Sequence, residues 1–161
     1  MTILERIAES LARSLFWVAG AAIITMMMLT SADVVLRFFR RPIPGTYELV
    51  CFLGAVAVAF AMAHTTIEKG HVSVSFVVSL FPKIIQDIIE IVTTGFGCCL
   101  FALITWQSMV YANDLHLHHE VSLTLKLPFY PFVYGVGFAA ATVCLILLCT
   151  LINRLMKIFD K

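Results

Sequence analysis

The spacing of charged residues constrains this chain more than any other feature. Four long uncharged runs divide it: 14–32 between Arg13 and Asp33, 49–67 between Glu48 and Glu68, 91–113 between Glu90 and Asp114, and 127–153 between Lys126 and Arg154. Wound as helices at 1.5 Å per residue, they measure roughly 28, 28, 34 and 40 Å, against a hydrocarbon layer of about 30 Å. Each is dense in Leu, Ile, Val, Phe, Met and Ala and lacks period-two alternation, which fits helices and not the strands of a lipid-facing barrel. The expected fold is an all-α integral membrane domain over residues 1–161, with four transmembrane helices at about 14–36, 47–67, 84–113 and 128–153. Composition closes the alternatives. With 61% hydrophobic and 13% charged residues among 161, the chain carries too much apolar surface for a soluble domain of this size and too little polarity for disorder. A net charge of +1 and no basic cluster beyond Arg40–Arg41 leave nothing for nucleic acid to bind.

Two shorter stretches read as interfacial. The uncharged segment 70–82 (GHVSVSFVVSLFP) is too short to cross as a helix. Ser75 and Ser79 lie one helical turn apart, so a helix here would have a narrow polar edge and lie at headgroup level; the Val-Ser alternation also suits an extended segment packed on protein. Pro82 suits a helix N-terminus. After it, Lys83, Asp87 and Glu90 form one polar stripe, with Ile84, Ile85, Ile88 and Ile89 turned away. Residues 1–13 repeat the pattern, with Leu4, Ile7 and Leu11 on a different face from Glu5, Arg6, Glu9 and Arg13. A cleaved signal peptide is the competing reading of this start, but the apolar run that follows exceeds the usual length of about 7–15 residues. Placing both termini with the 68–90 loop puts Arg6, Arg13, Lys69, Lys83, Arg154, Lys157 and Lys161 on one side, against Arg37, Arg40, Arg41 and Lys126 on the other. That distribution implies cytoplasmic termini.

Helices in lipid associate where small residues let backbones approach. Ala55, Ala59 and Ala63 recur at four-residue intervals beside Gly54, and Gly135 with Ala139 and Gly137 with Ala141 repeat the interval. These are the expected packing faces. Trp17, Tyr111, Tyr130 and Tyr134 fall near span ends, where aromatic rings anchor.

Chemistry-bearing groups are scarce. Residues that move ions or protons across a bilayer are usually ionisable groups near mid-span, and none of the four runs holds a charged residue. Cys51, Cys98, Cys99, Cys144 and Cys149 include no C-x-x-C pair and read as small apolar packing residues. His64 lies near one end of its run. His116, His118 and His119 belong to a loop sequence, HLHHE, whose donors would suit zinc but which also resembles an ordinary polar loop. Catalytic, cofactor and metal residues are therefore expected to be absent. Two rivals from other classes remain as alternatives, each lacking the residues it would need. A haem or quinone subunit would want histidines deep in facing helices, and an autonomous exporter would want an embedded acid. Asp33 and Arg37, one turn apart with the acid first, read as a helical ion pair; the alternative is Arg37 reaching across the RPIPGTY turn to Glu48, which stands where the dipole of the second helix favours a carboxylate. The structural reading is a clasp between the first two helices, and the competing one a binding site.

The stretch DVVLRFFRRPIPGTYELV, the Ala-rich run after it, and EKGHVSVSFVVSLFP together resemble the small membrane subunit of tripartite ATP-independent periplasmic (TRAP) transporters. The matching features are Arg37 closing the first helix, the Pro/Gly turn through Arg40 and Arg41, Glu48 opening the second, and Gly70-His71-Val72-x-Val74 with a proline about ten residues on. Glu68 and Ser75 depart from the pattern, where members often carry a basic residue and an acid. The resemblance implies a non-enzymatic, multi-pass subunit of the bacterial inner membrane, without cofactors. Its implied partners are a large permease subunit, which moves an organic anion with sodium, and a periplasmic receptor that delivers the anion. The small subunit would brace the large one.

Overall fold

The computed structural model describes residues 3–68 and 82–159. They form four helices: α1 (Ile3–Phe38), α2 (Thr46–Ile67), α3 (Lys83–Leu117) and α4 (Tyr130–Phe159). All four are long and apolar enough to cross a membrane. Among the described residues there is no strand, only an isolated antiparallel bridge between Val121 and Pro128. The fold is thus the all-helical, four-span type implied by the charge spacing.

Two boundaries add to that reading. Residues 3–13 are the opening turns of the 36-residue α1, and Ala8 and Ala12 within them are buried against other helices. The segment 70–82 lies outside the described residues except for Pro82, which directly precedes α3. Its carbonyl accepts the Ile85 and Gln86 N–H groups at 2.9 and 3.2 Å, and its own missing N–H costs nothing at a helix start.

Packing follows a seam of small residues on α1. Ala8, Ala12, Leu15, Ala19 and Ala22 are buried, Met26 and Leu29 are half-buried, and Asp33 is buried. The intervals alternate four and three, the spacing of a left-handed coiled-coil seam. Alanine at these positions lets α2 approach closely, which matters because lipid tails supply no hydrophobic drive for association. Ala8, Ala12 and Leu15 meet Ala63 of α2 and Val143 and Ile146 of α4 in one cluster, with Phe60, Ile67, Phe101 and Leu147 packed around it. Helix α4 is central and touches the other three, whereas α3 packs along α4 and, among the described residues, has no other substantial helix partner.

The expected packing residues divide accordingly. Ala63 is buried, Ala59 half-buried and Ala55 exposed, while Ala57, midway between the last two, is buried. Helix α2 therefore presents more than one face to its neighbours, α1 and α4. Ala139 is buried. A Cβ at Gly135 would lie 3.7 Å from the Phe60 ring of α2, and one at Gly137 3.2 Å from Ser108 of α3. The two glycines of α4 thus serve different partners.

α1 and α3 close in the same way at the same end of the bundle. Arg40 has φ 56°; its N–H reaches the Arg37 carbonyl and the Arg41 N–H reaches Leu36, both at 2.9 Å. His119 has φ 51°; its N–H reaches His116 at 3.4 Å and the Glu120 N–H reaches Leu115 at 3.2 Å. Each pair of bonds satisfies the terminal carbonyls in a Schellman motif, whose left-handed position usually belongs to glycine. A side chain in that conformation costs about 1 kcal/mol. Arg40→Gly is therefore expected to stabilise the subunit by about 1 kcal/mol, read as a higher midpoint in thermal unfolding of detergent-solubilised protein.

Candidate functional site

Among the described residues, the carboxylate hydrogen bonds that reach beyond one helical turn lie where α1 gives way to α2, beside the α3–α4 loop. The turn is built from Pro42, Pro44 and Gly45. Gly45, at φ 76°, precedes α2, and its carbonyl accepts the Leu49 N–H at 3.1 Å. Thr46 is buried and donates its hydroxyl to the Ile43 carbonyl at 3.0 Å.

Asp33 is the buried acid of this turn. One carboxylate oxygen accepts from Arg37 Nε at 2.7 Å, and the other accepts the backbone N–H of Ile43 at 2.9 Å. The Arg37 side chain is otherwise exposed. The i, i+4 pair thus holds Asp33 while Asp33 holds the turn, so the link from α1 to α2 runs through backbone and not through Arg37 to Glu48. Arg40 and Arg41 are exposed beside it.

Glu48 does stand in the first turn of α2, where the helix dipole favours a carboxylate, but its partners lie in the α3–α4 loop and not at Arg37. Its carboxylate accepts the Ser122 hydroxyl, the Thr124 N–H at 2.9 Å and the Leu125 N–H at 3.1 Å. A single acid from the first turn of α2 therefore pins the loop between α3 and α4. The loop is itself a tight hairpin, with Ser122 N–H to Leu127 at 2.8 Å, Lys126 N–H to Ser122 at 3.1 Å, and Lys126 at φ 52°. Leu125 packs directly on Gly45, where a Cβ would come within 2.4 Å of its Cγ. One helical turn below Glu48, the Phe52 ring stacks on Phe132 with centroids 4.2 Å apart and meets Phe129 edge-on at 5.3 Å. Carboxylate, glycine seat and aromatic stack together join the α1–α2 hairpin to the α3–α4 hairpin.

Sequence reasoning singled out Glu48 but missed Ser122, Thr124, Leu125 and Phe52. The available signal was the i, i+4 placement of Glu48 and Phe52, which puts a charge and an aromatic on one face of α2. The loop residues carried none, because their contribution is mostly backbone N–H. Gly70 and His71 lie outside the described residues. The other histidines do not converge: His116 meets Tyr130 edge-on at 4.8 Å and His119 at 6.4 Å. Among the described residues, no three His, Cys, Asp or Glu side chains gather as a metal site. At the opposite end, the His64 ring lies 4.5 Å from Phe16. Its Nε2 is 3.5 Å from Glu68 Oε1, and its Nδ1 is buried without a partner.

The clasp, the four apolar helices and the turn motif all fall within the reach of one family. The family model for tripartite ATP-independent periplasmic transporters, DctQ component, matches residues 26–157. The chain belongs to this family. No curated protein and no solved structure matches it. The matched region of this DctQ component takes in the last third of α1, all of α2 and α3, the pinned loop, and most of α4. It thus includes Asp33, Glu48 and every residue they bind. The protein is the small component of a TRAP transporter, an assembly with other components.

Proposed function

We propose that this subunit braces the large permease subunit of a transporter that takes up an organic anion, a carboxylate, with sodium, after a periplasmic receptor has captured it. The subunit catalyses no reaction. Its spans are 14–36, 47–67, 84–113 and 128–153, flanked by interfacial segments at 1–13 and 70–82. It lies in the bacterial inner membrane with both termini in the cytoplasm, which puts the clasp on the periplasmic side. Gly70 and His71 then belong to the cytoplasmic loop.

The observation that carries this reading is the contrast between the ends and the middle of the bundle. The Asp33 and Glu48 bonds organise one end, while the apolar runs hold no charged residue and turn large side chains outward. Trp17, Ile24 and Met28 of α1 and Phe96, Leu103 and Trp106 of α3 are all more than half exposed. Such a rod suits a stationary brace, because moving an ion or anion through the bilayer requires polar groups at mid-depth. Two uncompensated arginines on the clasp, Arg40 and Arg41, are available to an arriving receptor.

Reconstitution tests it. The large subunit, the receptor and this chain together are expected to take up substrate when a sodium gradient is imposed, and this chain alone is expected to move none. Uptake by the lone chain would overturn the brace reading. In the same assay, reversing Arg40 and Arg41 to Glu is expected to weaken receptor-dependent uptake, and unchanged uptake removes these two residues from the docking surface.

A further inference from the structure

The α3–α4 seam contains a feature that the transporter reading does not use. Cys98 of α3 and Cys144 of α4 face each other with Sγ atoms 3.8 Å apart, and the Cys144 thiol also points at the Cys98 carbonyl at 3.7 Å. The helices approach closely around the pair. A Cβ at Gly97 would touch Leu147 at 3.4 Å, and Gly137 abuts Ser108. Both thiols are half-buried and Cys99 beside them is exposed, so the seam opens on the bundle surface. Cys98 lies roughly 12 Å along the helix from Glu90 and roughly 24 Å from Asp114, inside the uncharged run of α3. A reagent dissolved in the hydrocarbon reaches it there.

We propose that Cys98 and Cys144 form an oxidation site for organic hydroperoxides that closes into a disulfide and locks α3 to α4. One thiol attacks the distal oxygen of the hydroperoxide, the O–O bond breaks, and a sulfenic acid and an alcohol result. The second thiol attacks the sulfenic sulfur, the S–S bond forms, and water leaves. Two thiols and one hydroperoxide thus give one disulfide, one alcohol and one water. The sulfurs must move from 3.8 Å to about 2.05 Å, between helices that already pack along each other. The consequence is specific to this bundle. Among the described residues α3 packs substantially on α4 and on no other helix, so a bond at this seam fixes a helix with a single substantial neighbour.

The experiment uses the assembled transporter in liposomes exposed to cumene hydroperoxide, with remaining thiols then blocked by a maleimide. After denaturation, trypsin cuts at Lys126 and separates the α3 fragment (84–126) from the α4 fragment (127–154). The expected result is a joined fragment, lighter than its parts by two hydrogens and separated by a reducing agent. It is lost in Cys98→Ser and in Cys144→Ser, and retained in Cys99→Ser and in Cys149→Ser. Fragments that stay apart while a lipid-soluble maleimide labels Cys99 overturn the proposal, as does a joined fragment that survives Cys144→Ser.

Discussion

Replacing Glu48 with Ala is expected to release the α3–α4 loop while leaving the four helices in place. The Thr124 and Leu125 N–H groups and the Ser122 hydroxyl lose their common acceptor. Asp33, the buried acid of the adjoining turn, is occupied by Arg37 and Ile43. Hydrogen bonds to an ionised carboxylate are the stronger kind, and leaving several donors unmade costs more than any one bond contributes. Amide exchange at Thr124 and Leu125 is expected to accelerate by roughly tenfold or more, with α1 and the Ala8–Ala63 cluster unchanged. Glu48→Gln retains one acceptor oxygen and should fall between wild type and Ala. Exchange mass spectrometry on the detergent-solubilised subunit reads both variants, and equal protection of the loop in wild type and Ala would show that the carboxylate does not hold it.

Gly45→Val is expected to damage the same end through the backbone. The position combines a left-handed φ of 76° with a side-chain contact already at its limit, since even a Cβ would overlap Leu125 at 2.4 and 2.6 Å. Strain of the first kind costs about 1–3 kcal/mol, and displacing a packed leucine adds about 1–3 kcal/mol. The variant should lose about 3 kcal/mol of stability in total and expose the loop to protease near Lys126. Gly45→Ala carries the same conformational strain with less bulk and should lie between. A second-site Leu125→Ala change is expected to recover part of the loss in Gly45→Val by removing the overlap but not the strain. No recovery would place the whole cost in φ.

How much of this was legible in the amino-acid order differs between the walls and the joints. Helix number and approximate ends follow from Arg13, Asp33, Glu48, Glu68, Glu90, Asp114, Lys126 and Arg154, because a charge in hydrocarbon is costly wherever the fold places it. The turn before Glu48 was legible for a similar reason, since Pro42, Pro44 and Gly45 restrict the backbone locally. The left-handed closures at Arg40 and His119 were not: the sequence rule looks for glycine there, and both positions carry ordinary side chains held by hydrogen bonds to earlier turns. The alanine seam of α1 was also passed over in favour of Ala55, Ala59 and Ala63. Both series have helical spacing, and spacing alone does not say which face meets a neighbour.

What the sequence determined by itself is therefore the environment and the element count, because both depend on the transfer of side chains between water and lipid, a property of each segment taken alone. Only the tertiary structure decided that Glu48 binds Ser122, Thr124 and Leu125, more than seventy residues away along the chain. It alone also decided that Asp33 secures Ile43 and that Cys98 faces Cys144. Those pairings depend on which helix lies beside which and in what register. In a bilayer that choice rests on close contact and a few directional bonds; the bonds leave no periodic trace in the order of residues, and the spacing of small residues does not say which neighbour they meet.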